Sequence, residues 1–560
     1  MKHRNLLGDF FNFILFILIF YFCSLPVISV ILYGVNGDGR AVTSSDITRA
    51  LMLLRNSVAL SLLVSVAAVG FGTIATFGLY RIKFKGRGIM RVLMLLPLVN
   101  PAFVGSISFL MLFGKRGLIT HQFLGLNISP FGWQGVFFLQ VLGAITSAYL
   151  IISAAVRNTD VSTEEAARNL GASELQVLTR VTLPMMAPEI TTAFLMVFLG
   201  SMADFTTPMI IGGRFRTLAT DLYLQITGLN NMRIASISGI FLLIPCFIAF
   251  FLQRSYSRHR RYSSDHAAYG EIEYTMVKGW IKAGLIGTTL LIMSYFIINI
   301  TFIFVGAFTE NWGYDYTFTT KYLEEAFSTN LSKYLKPFIN SVTMSVITGL
   351  GSSLIGVVMA YLIQRGKIKF GKSLDLIAMV PAAVPGILLG VGYLVTFKYP
   401  FLGIGRYILT DLKPLILLGT SIIVYLSCIS RNINVSMKSC YALLEHIDPD
   451  LENAAFNLGA SKVQTYRYVI IPLLKDAFVN SYIKVFAGTM TSLGVIIFLL
   501  MPKNKVIVQV LFQSLTGGMA LGVPAVLALS LSFLTLSLML LFSLLAYGKD
   551  SLAKLWRLGK

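Results

Sequence analysis

Long apolar segments alternate with short polar ones along all 560 residues of the chain. Each apolar segment has about 17 residues or more, which is enough for an α-helix to cross about 30 Å of hydrocarbon. Helices are expected because a backbone in lipid must satisfy its own hydrogen bonds. The pattern predicts twelve spans, six in each half: 10–33, 54–80, 90–113, 133–156, 189–211, 234–252, 280–305, 337–363, 373–397, 414–430, 475–500 and 521–546.

Composition supports lipid as the surrounding solvent. The chain is 56% hydrophobic and 13% charged, with a mean hydropathy of +0.75, whereas an average soluble domain has about 25% charged residues. The first segment, 10–33, is longer than the apolar part of a signal peptide and lacks a small-residue cleavage site, so we predict a retained helix. The fold class predicted is an all-α polytopic membrane protein with about twelve transmembrane helices.

The net charge of +21 lies in short clusters between the apolar segments. With the N-terminus inside, 26 Lys and Arg residues fall in inside loops and tails, 15 fall in outside loops and five lie within the predicted spans, as the positive-inside rule requires. This distribution predicts an inner-membrane protein with both termini cytoplasmic and argues against a nucleic-acid partner. A polar, basic stretch at 253–279 is predicted to be a cytoplasmic linker between halves at 1–252 and 280–560.

The two halves repeat one another. Asn56-Ser57-Val58 opens the second span of the first half, and Asn340-Ser341-Val342 opens its counterpart. Pro97 and Pro101 match Pro381 and Pro385 at the same offset. Because six spans return the chain to its starting side, the pattern predicts two parallel repeats.

The strongest repeat lies between the fourth and fifth spans of each half. Residues 164–173 read EEAARNLGAS, and residues 452–461 read ENAAFNLGAS. Glutamate and alanine favour a helix, and each glycine marks a turn, where glycine can adopt a positive φ. A helix–turn–helix here would present a short rigid helix to a cytoplasmic partner, once in each half. The candidate residues are Glu164, Glu165, Ala166, Ala167, Gly171, Ala172, Pro184, Glu452, Ala454, Ala455, Gly459, Ala460 and Pro472.

These segments resemble the EAA loop of permease subunits of type I binding-protein-dependent ABC importers. The resemblance covers nearly the whole chain, although Asn453 replaces the second acid in the second loop. It implies that two copies of an ATPase subunit dock on the loops and consume ATP. It also implies an extracytoplasmic solute-binding protein, no cofactor bound by this chain and no catalytic residue in it.

Fused two-half permeases of this length resemble the ferric-iron group of importers. Residues 203–208, which read ADFTTP, and the following Ile211-Gly212-Gly213 also resemble that group. Ferric iron is therefore the first expected substrate. Phosphorylated or phosphonate solutes, thiamine and polyamines remain alternatives, because related permeases carry them.

Asp204 is the acid that the pattern places well inside a span. An ionisable group at such a depth indicates a substrate, cation or gating role, but hydration or pairing with a neighbouring polar group explains it equally well. Its repeat counterpart is Ser492. The residues predicted to line a translocation path are Asn100, Asp204, Thr206, Thr207, Thr489 and Ser492.

Other motifs do not change this interpretation. Residues 366–373 match the pattern of a phosphate-binding loop, but predicted membrane helices flank them where a strand and a soluble helix are needed. The scattered histidines and four cysteines suggest no metal site and no disulfide framework. The main alternative function is an ion-coupled secondary transporter with two parallel halves, which predicts several intramembrane charges. A channel or scaffold is a further class.

Overall fold

The computed structural model describes most of the chain. The described residues are 6–37, 40–95, 97, 102–126, 129–158, 161–259, 279–329, 331–366, 368, 370–398, 417–448, 450–518 and 520–548. Asn100, most of the predicted linker and two residues of the phosphate-loop match lie outside this range.

Helices dominate the described residues. Up to residue 307 they are α1 (Leu6–Ile19), α2 (Leu25–Asn36), α3 (Ser44–Tyr80), α4 (Arg87–Leu93), α5 (Ala102–Phe113), α6 (Trp133–Asn158), α7 (Val161–Asn169), α8 (Glu174–Val177), α9 (Leu183–Met185), α10 (Ala187–Ala203), α11 (Thr206–Ile211), α12 (Leu218–Thr227), α13 (Met232–His259) and α14 (Gly279–Ala307). After a hairpin of β1 (Thr309–Asn311) and β2 (Asp315–Phe318) come α15 (Lys321–Glu324), α16 (Leu331–Gln364), α17 (Gly371–Ala383), α18 (Gly386–Lys398), α19 (Ser421–Leu444), α20 (Asp450–Asn457), α21 (Lys462–Thr465), α22 (Ile471–Thr491), α23 (Ile507–Thr516) and α24 (Gly522–Tyr547). Short π-helical turns lie at Phe20–Ser24, Leu118–Phe123, Leu178–Thr182, Glu325–Thr329 and Tyr466–Ile470, and a 3₁₀ turn at Pro502–Asn504.

Seven described helices are long and apolar enough to cross a membrane, or up to nine if each of two bent pairs is one span. These nine coincide with nine predicted segments, which confirms the all-helical membrane architecture. The other three predicted spans, 90–113, 414–430 and 475–500, also contain helices. The first is not one continuous described helix, and the helices α19 and α22 carry charged residues such as Lys438 and Lys484.

Besides 90–113, three predicted spans are not straight helices. The segment 189–211 breaks at Asp204, whose backbone is extended, and 475–500 breaks in the same way at Ser492. The segment 373–397 bends by 110° between α17 and α18. Hydrophobicity alone does not locate such breaks. Irregular backbone occurs at membrane depth where the surrounding protein satisfies its polar groups.

The first helices of the two halves are exchanged. α2 packs on α18 of the second half, where the Tyr393 hydroxyl donates to the carbonyl of Phe22 at 2.7 Å. α14 packs in turn on α3 and α5, and the Trp312 indole donates to the carbonyl of Met111 at 2.9 Å. The halves therefore interlock rather than touch along one flat face.

Gly392 marks the closest approach in this exchange. A Cβ at this position would lie 2.4 Å from the carbonyl oxygen of Pro26, so Gly392→Ala is expected to destabilise the protein by about 1–3 kcal/mol through overpacking. Gly488→Ala, in α22 with nothing within 4 Å, is the control and is expected to be neutral or stabilising. Thermal stability of the detergent-purified protein measures both, and equal melting temperatures would contradict the expectation.

Candidate coupling loops and translocation path

Each repeated loop forms the predicted helix–turn–helix. α7 ends before Gly171, which has φ +87°, and α20 ends before Gly459, which has φ +83°. The second short helix then begins with a capping box, formed by Ser173 with Gln176 in the first loop. Ser461 and Gln464 make the same pair of hydrogen bonds in the second loop. Local sequence thus fixes the two loops in nearly the same shape.

Both loops present small and apolar side chains to solvent. Leu170 and Leu458, which directly precede the two glycines, are each 88% exposed. Glu165, Ala166 and Ala454 are also exposed, while Ala167, Ala172, Ala455 and Ala460 are half-buried. Pro184 lies in the first turn of α9, and Pro472 in the first turn of α22. An exposed leucine beside small residues is suited to contact with another protein chain.

Behind this surface, the first loop is fastened to α3 by buried charges. The Glu164 carboxylate lies 3.0 Å from the Arg81 guanidinium, and the two side chains are 2% and 4% exposed. Arg168 lies 3.5 Å from Glu164 and 3.1 Å from Glu174. The Thr182 hydroxyl donates to Glu164 at 2.9 Å. Burial lowers the pKa of Arg81 and the charge of Glu164 opposes that shift, so the carboxylate stabilises the charged guanidinium.

The second loop lacks this charge network among the described residues. Glu452, the counterpart of Glu164, accepts a hydrogen bond from the Tyr361 hydroxyl at 3.0 Å. Arg365, the counterpart of Arg81, instead donates to the carbonyls of Leu444 and Ile447 at the end of α19. Phe456 replaces Arg168 in this loop. The two loops therefore share a shape but differ in how they are attached.

A cavity of about 730 Å³ lies between the halves on the side of the repeated loops. We call this end of the molecule the loop side and the opposite end the far side. Arg254 of α13 and Asp375 of α17 both line the cavity and form an ion pair at 2.7 Å. The Tyr441 hydroxyl donates to the same carboxylate at 3.0 Å. Glu189 and Lys438 also line the cavity. The space between the halves is thus polar where it meets the loop side.

On the far side, four aromatic rings close the space between the halves. Tyr223 of α12 meets Phe512 of α23 edge-on, with ring centroids 5.7 Å apart. Tyr223 stacks on Phe498 at 6.0 Å, and Phe205 meets Phe512 at 5.8 Å. We refer to these four residues as the aromatic seam. With a cavity on the loop side and a seam on the far side, this conformation is open toward the loops.

Asp204 lies at the break between α10 and α11. Its carboxylate accepts from the Gln140 amide at 3.0 Å, from the Thr206 hydroxyl at 2.8 Å and from the backbone N–H groups of Thr206 and Thr207. It also lines a second cavity, of about 520 Å³, together with Thr207 and Thr491. Asp204 is thus paired with neighbouring polar groups, which explains its charge without a transport role. It also faces a cavity, as a substrate, cation or gating role requires.

The other predicted path residues differ in burial. Thr206 and Thr489 are buried, and Ser492 is half-buried at the break that follows α22. Asn100 lies outside the described residues. All four cysteines are buried and free. In the described ranges no group of three or more His, Cys, Asp or Glu residues could hold a metal ion, and the absence of a metal site stays a prediction.

Sequence reasoning missed the residues that hold the first loop. Arg81 counted only as one of several inside cations, although Arg365 repeats it 284 residues later and so carried a signal. The aromatic seam was missed as well, although LYLQITG at 222–228 and LFQSLTG at 511–517 place Tyr223 and Phe512 at equivalent positions. Thr182 had no repeat signal, because its counterpart is Ile470.

Comparison with known proteins gives a family for both halves. The model described as "Binding-protein-dependent transport system inner membrane component" matches residues 68–262 and again 352–548. These two matches contain the two repeated loops and the fifth-span breaks. A duplicated match also agrees with the internal repeat in the sequence.

Individual relatives extend over most of the chain. It is 28% identical over 523 residues to the ferric transport system permease protein FbpB of Actinobacillus pleuropneumoniae, covering 90% of this chain and 73% of the relative. It is 29% identical over 511 residues to the putative FbpB 1 of Haemophilus influenzae, covering 88% and 77%. The molybdenum permease ModB of Escherichia coli matches 30% of this chain at 31% identity. Because the family matches cover more than half of its length, the chain belongs to the inner-membrane components of binding-protein-dependent transport systems and is a permease of an ABC importer.

Proposed function

We propose that this permease imports ferric iron, which an extracytoplasmic binding protein delivers at the far side. Two separate ATPase subunits bind the two repeated loops, and the loops and both termini are cytoplasmic. The names of the two relatives that match most of the chain support the substrate, and the bias of Lys and Arg supports the orientation. The halves are assigned to 1–252 and 280–560, with 253–279 as the linker.

Alternating access between the halves is the transport mechanism. The observation that carries it is the pairing of a cavity of about 730 Å³ at the loop side with the aromatic seam at the far side. When the ATPase subunits close on ATP, they draw the repeated loops together. Since each loop is continuous with a fifth span, this movement separates the seam and opens the path outward.

Other substrates and another transport class remain as alternatives. Molybdenum and spermidine/putrescine permeases match less than half of this chain, so they support a shared mechanism more than a shared substrate. A secondary transporter would need charges for ion coupling along the path, where Asp204 is already engaged by Gln140 and Thr206. Uptake of ferric iron driven by a proton gradient in vesicles that lack the ATPase would favour that class.

Gly171→Pro combined with Gly459→Pro is expected to abolish co-purification of the ATPase subunit. Proline fixes φ near −65°, whereas these glycines have φ values of +87° and +83°, so both loops must change shape. The matched control is Gly125→Pro with Gly518→Pro, which alters two other positive-φ glycines that have nothing within 4 Å. Retention of the ATPase by the loop variant, or its equal loss from the control, would contradict the proposal.

A further inference from the structure

Two basic loops on the far side repeat one another. Arg214 and Arg216 precede α12, and Lys503 and Lys505 precede α23, 289 residues later in each case. The same offset relates Gly228 to Gly517 at the ends of these helices. We call the segments 214–216 and 503–505 the basic loops. They differ in sequence from the repeated loops at 164–173 and 452–461, and they lie at the opposite end of the molecule.

The serines of the repeated Asn-Ser pair hold the starts of the two helices that follow the basic loops. Ser57 accepts a hydrogen bond from the backbone N–H of Leu218 at 2.8 Å, and Ser341 accepts the equivalent one from Ile507 at 3.0 Å. The Asn340 amide donates to the carbonyls of Lys503 and Lys505 at 3.4 and 2.9 Å. These contacts fix the start of each following helix to a long helix, and in the second basic loop they also fix the backbone that carries Lys503 and Lys505.

Helix geometry places both loops outside the hydrocarbon. Ser57 lies 23 residues before the end of α3, and Ser341 lies 23 residues before the end of α16. At 1.5 Å per residue, each serine is about 35 Å from the loop side, against about 30 Å for the hydrocarbon layer. The loops also flank the aromatic seam, because α12 contributes Tyr223 and α23 contributes Phe512.

The four cations are available for contact. Arg214, Arg216 and Lys503 are exposed and Lys505 is half-buried. In the described part of the chain, none of the four has a carboxylate partner. Two other arginines on the far side do have such partners, since Arg40 pairs with Asp46 at 2.6 Å and Arg49 with Asp221 at 2.8 Å. Cations without a carboxylate partner on two equivalent loops indicate a surface for a negatively charged partner.

We propose that the basic loops dock two acidic patches of the extracytoplasmic binding protein, one on each side of the seam. This inference rests on the proposed function, which places the far side outward. Docking on both loops centres the binding protein over the point where the path opens. A single partner that bridges two loops also gains from two simultaneous contacts, which headgroups of separate lipids cannot supply.

The test uses the complete complex of permease and ATPase in nanodiscs, with the binding protein that stimulates ATP hydrolysis by the unmodified complex. Arg214→Glu, Arg216→Glu, Lys503→Glu and Lys505→Glu are combined in one variant. Reversing four cations is expected to weaken binding at least about ten-fold, mainly through slower association. The difference from the unmodified complex is expected to shrink as added salt screens the charges.

Lys333→Glu with Lys336→Glu is the control, because these are exposed far-side cations at the start of α16 that belong to neither basic loop. This control is expected to keep the stimulated rate and the affinity. If the four-fold variant binds as tightly as the control, the docking inference is wrong. Weakening that appears only in discs containing phosphatidylglycerol would assign the cations to lipid instead. An unmodified complex that hydrolyses no ATP would contradict the proposed function itself.

Discussion

Replacing Glu164 with glutamine is expected to lower ATP-driven transport at least about ten-fold, whereas Glu452→Gln is expected to change it little. The two glutamates occupy equivalent places in the repeated loops, but their partners differ. Glu164 neutralises Arg81 in a buried pair at 3.0 Å. Glu452 accepts from the neutral hydroxyl of Tyr361, which a glutamine carbonyl can also accept.

The size of the effect follows from the charge left behind. Removing one partner of a buried ion pair costs about 3–5 kcal/mol, because the other charge stays buried without compensation. In Glu164→Gln that charge is Arg81, which is 4% exposed. If only half of the cost is expressed as misplacement of the first loop, docking still weakens about ten-fold. Arg168 keeps Glu174 as a partner at 3.1 Å, so the loss is centred on Arg81.

A double variant separates a coupling defect from simple misfolding. Arg81→Met combined with Glu164→Gln leaves no buried charge, and it is expected to recover most of the transport lost in Glu164→Gln alone. Transport and ATPase co-purification are measured for the single variants, the double variant and Glu452→Gln. Equal losses in Glu164→Gln and Glu452→Gln would show that the attachment of the loops has no bearing on coupling.

Sequence periodicity was sufficient for most of the fold. Twenty apolar residues in succession specify a helix in lipid regardless of their neighbours, so nine predicted spans coincide with helices or bent pairs. The breaks at Asp204 and Ser492 were not predictable from hydrophobicity, because both lie within continuous apolar segments. Asp204 depends on Gln140, which is 64 residues away in sequence.

The shape of the repeated loops was predictable because it is local. Gly171 and Gly459 have the positive φ that the sequence indicated, and the capping boxes lie within four residues. The attachment of the first loop was not predictable in the same way. It joins Arg81 to Glu164, which are separated in sequence by α4, α5 and α6, and a hydrophobicity pattern contains no information about such a contact. The internal repeat was the available signal, since Arg81 and Arg365 recur at equivalent positions.

Replacing both Tyr223 and Phe512 with alanine is expected to raise ATP hydrolysis in the absence of binding protein about ten-fold or more. The two rings contact each other across the seam, with centroids 5.7 Å apart. This contact exists only while the far side is closed, so its loss destabilises that state and leaves the outward-open state unchanged. An aromatic pair contributes about 0.5–1.5 kcal/mol beyond its buried area, and each 1.4 kcal/mol shifts a two-state population ten-fold.

A control variant that removes an aromatic pair within one half distinguishes a gate from general destabilisation. Tyr482 and Phe542 also meet edge-on, with centroids 5.0 Å apart, but both belong to the second half and stay together when the halves separate. Tyr482→Ala with Phe542→Ala is therefore expected to lower thermal stability without raising basal hydrolysis. If the seam variant also loses stability and its basal hydrolysis does not rise, the aromatic seam is a packing contact and the outer closure of the path must lie elsewhere.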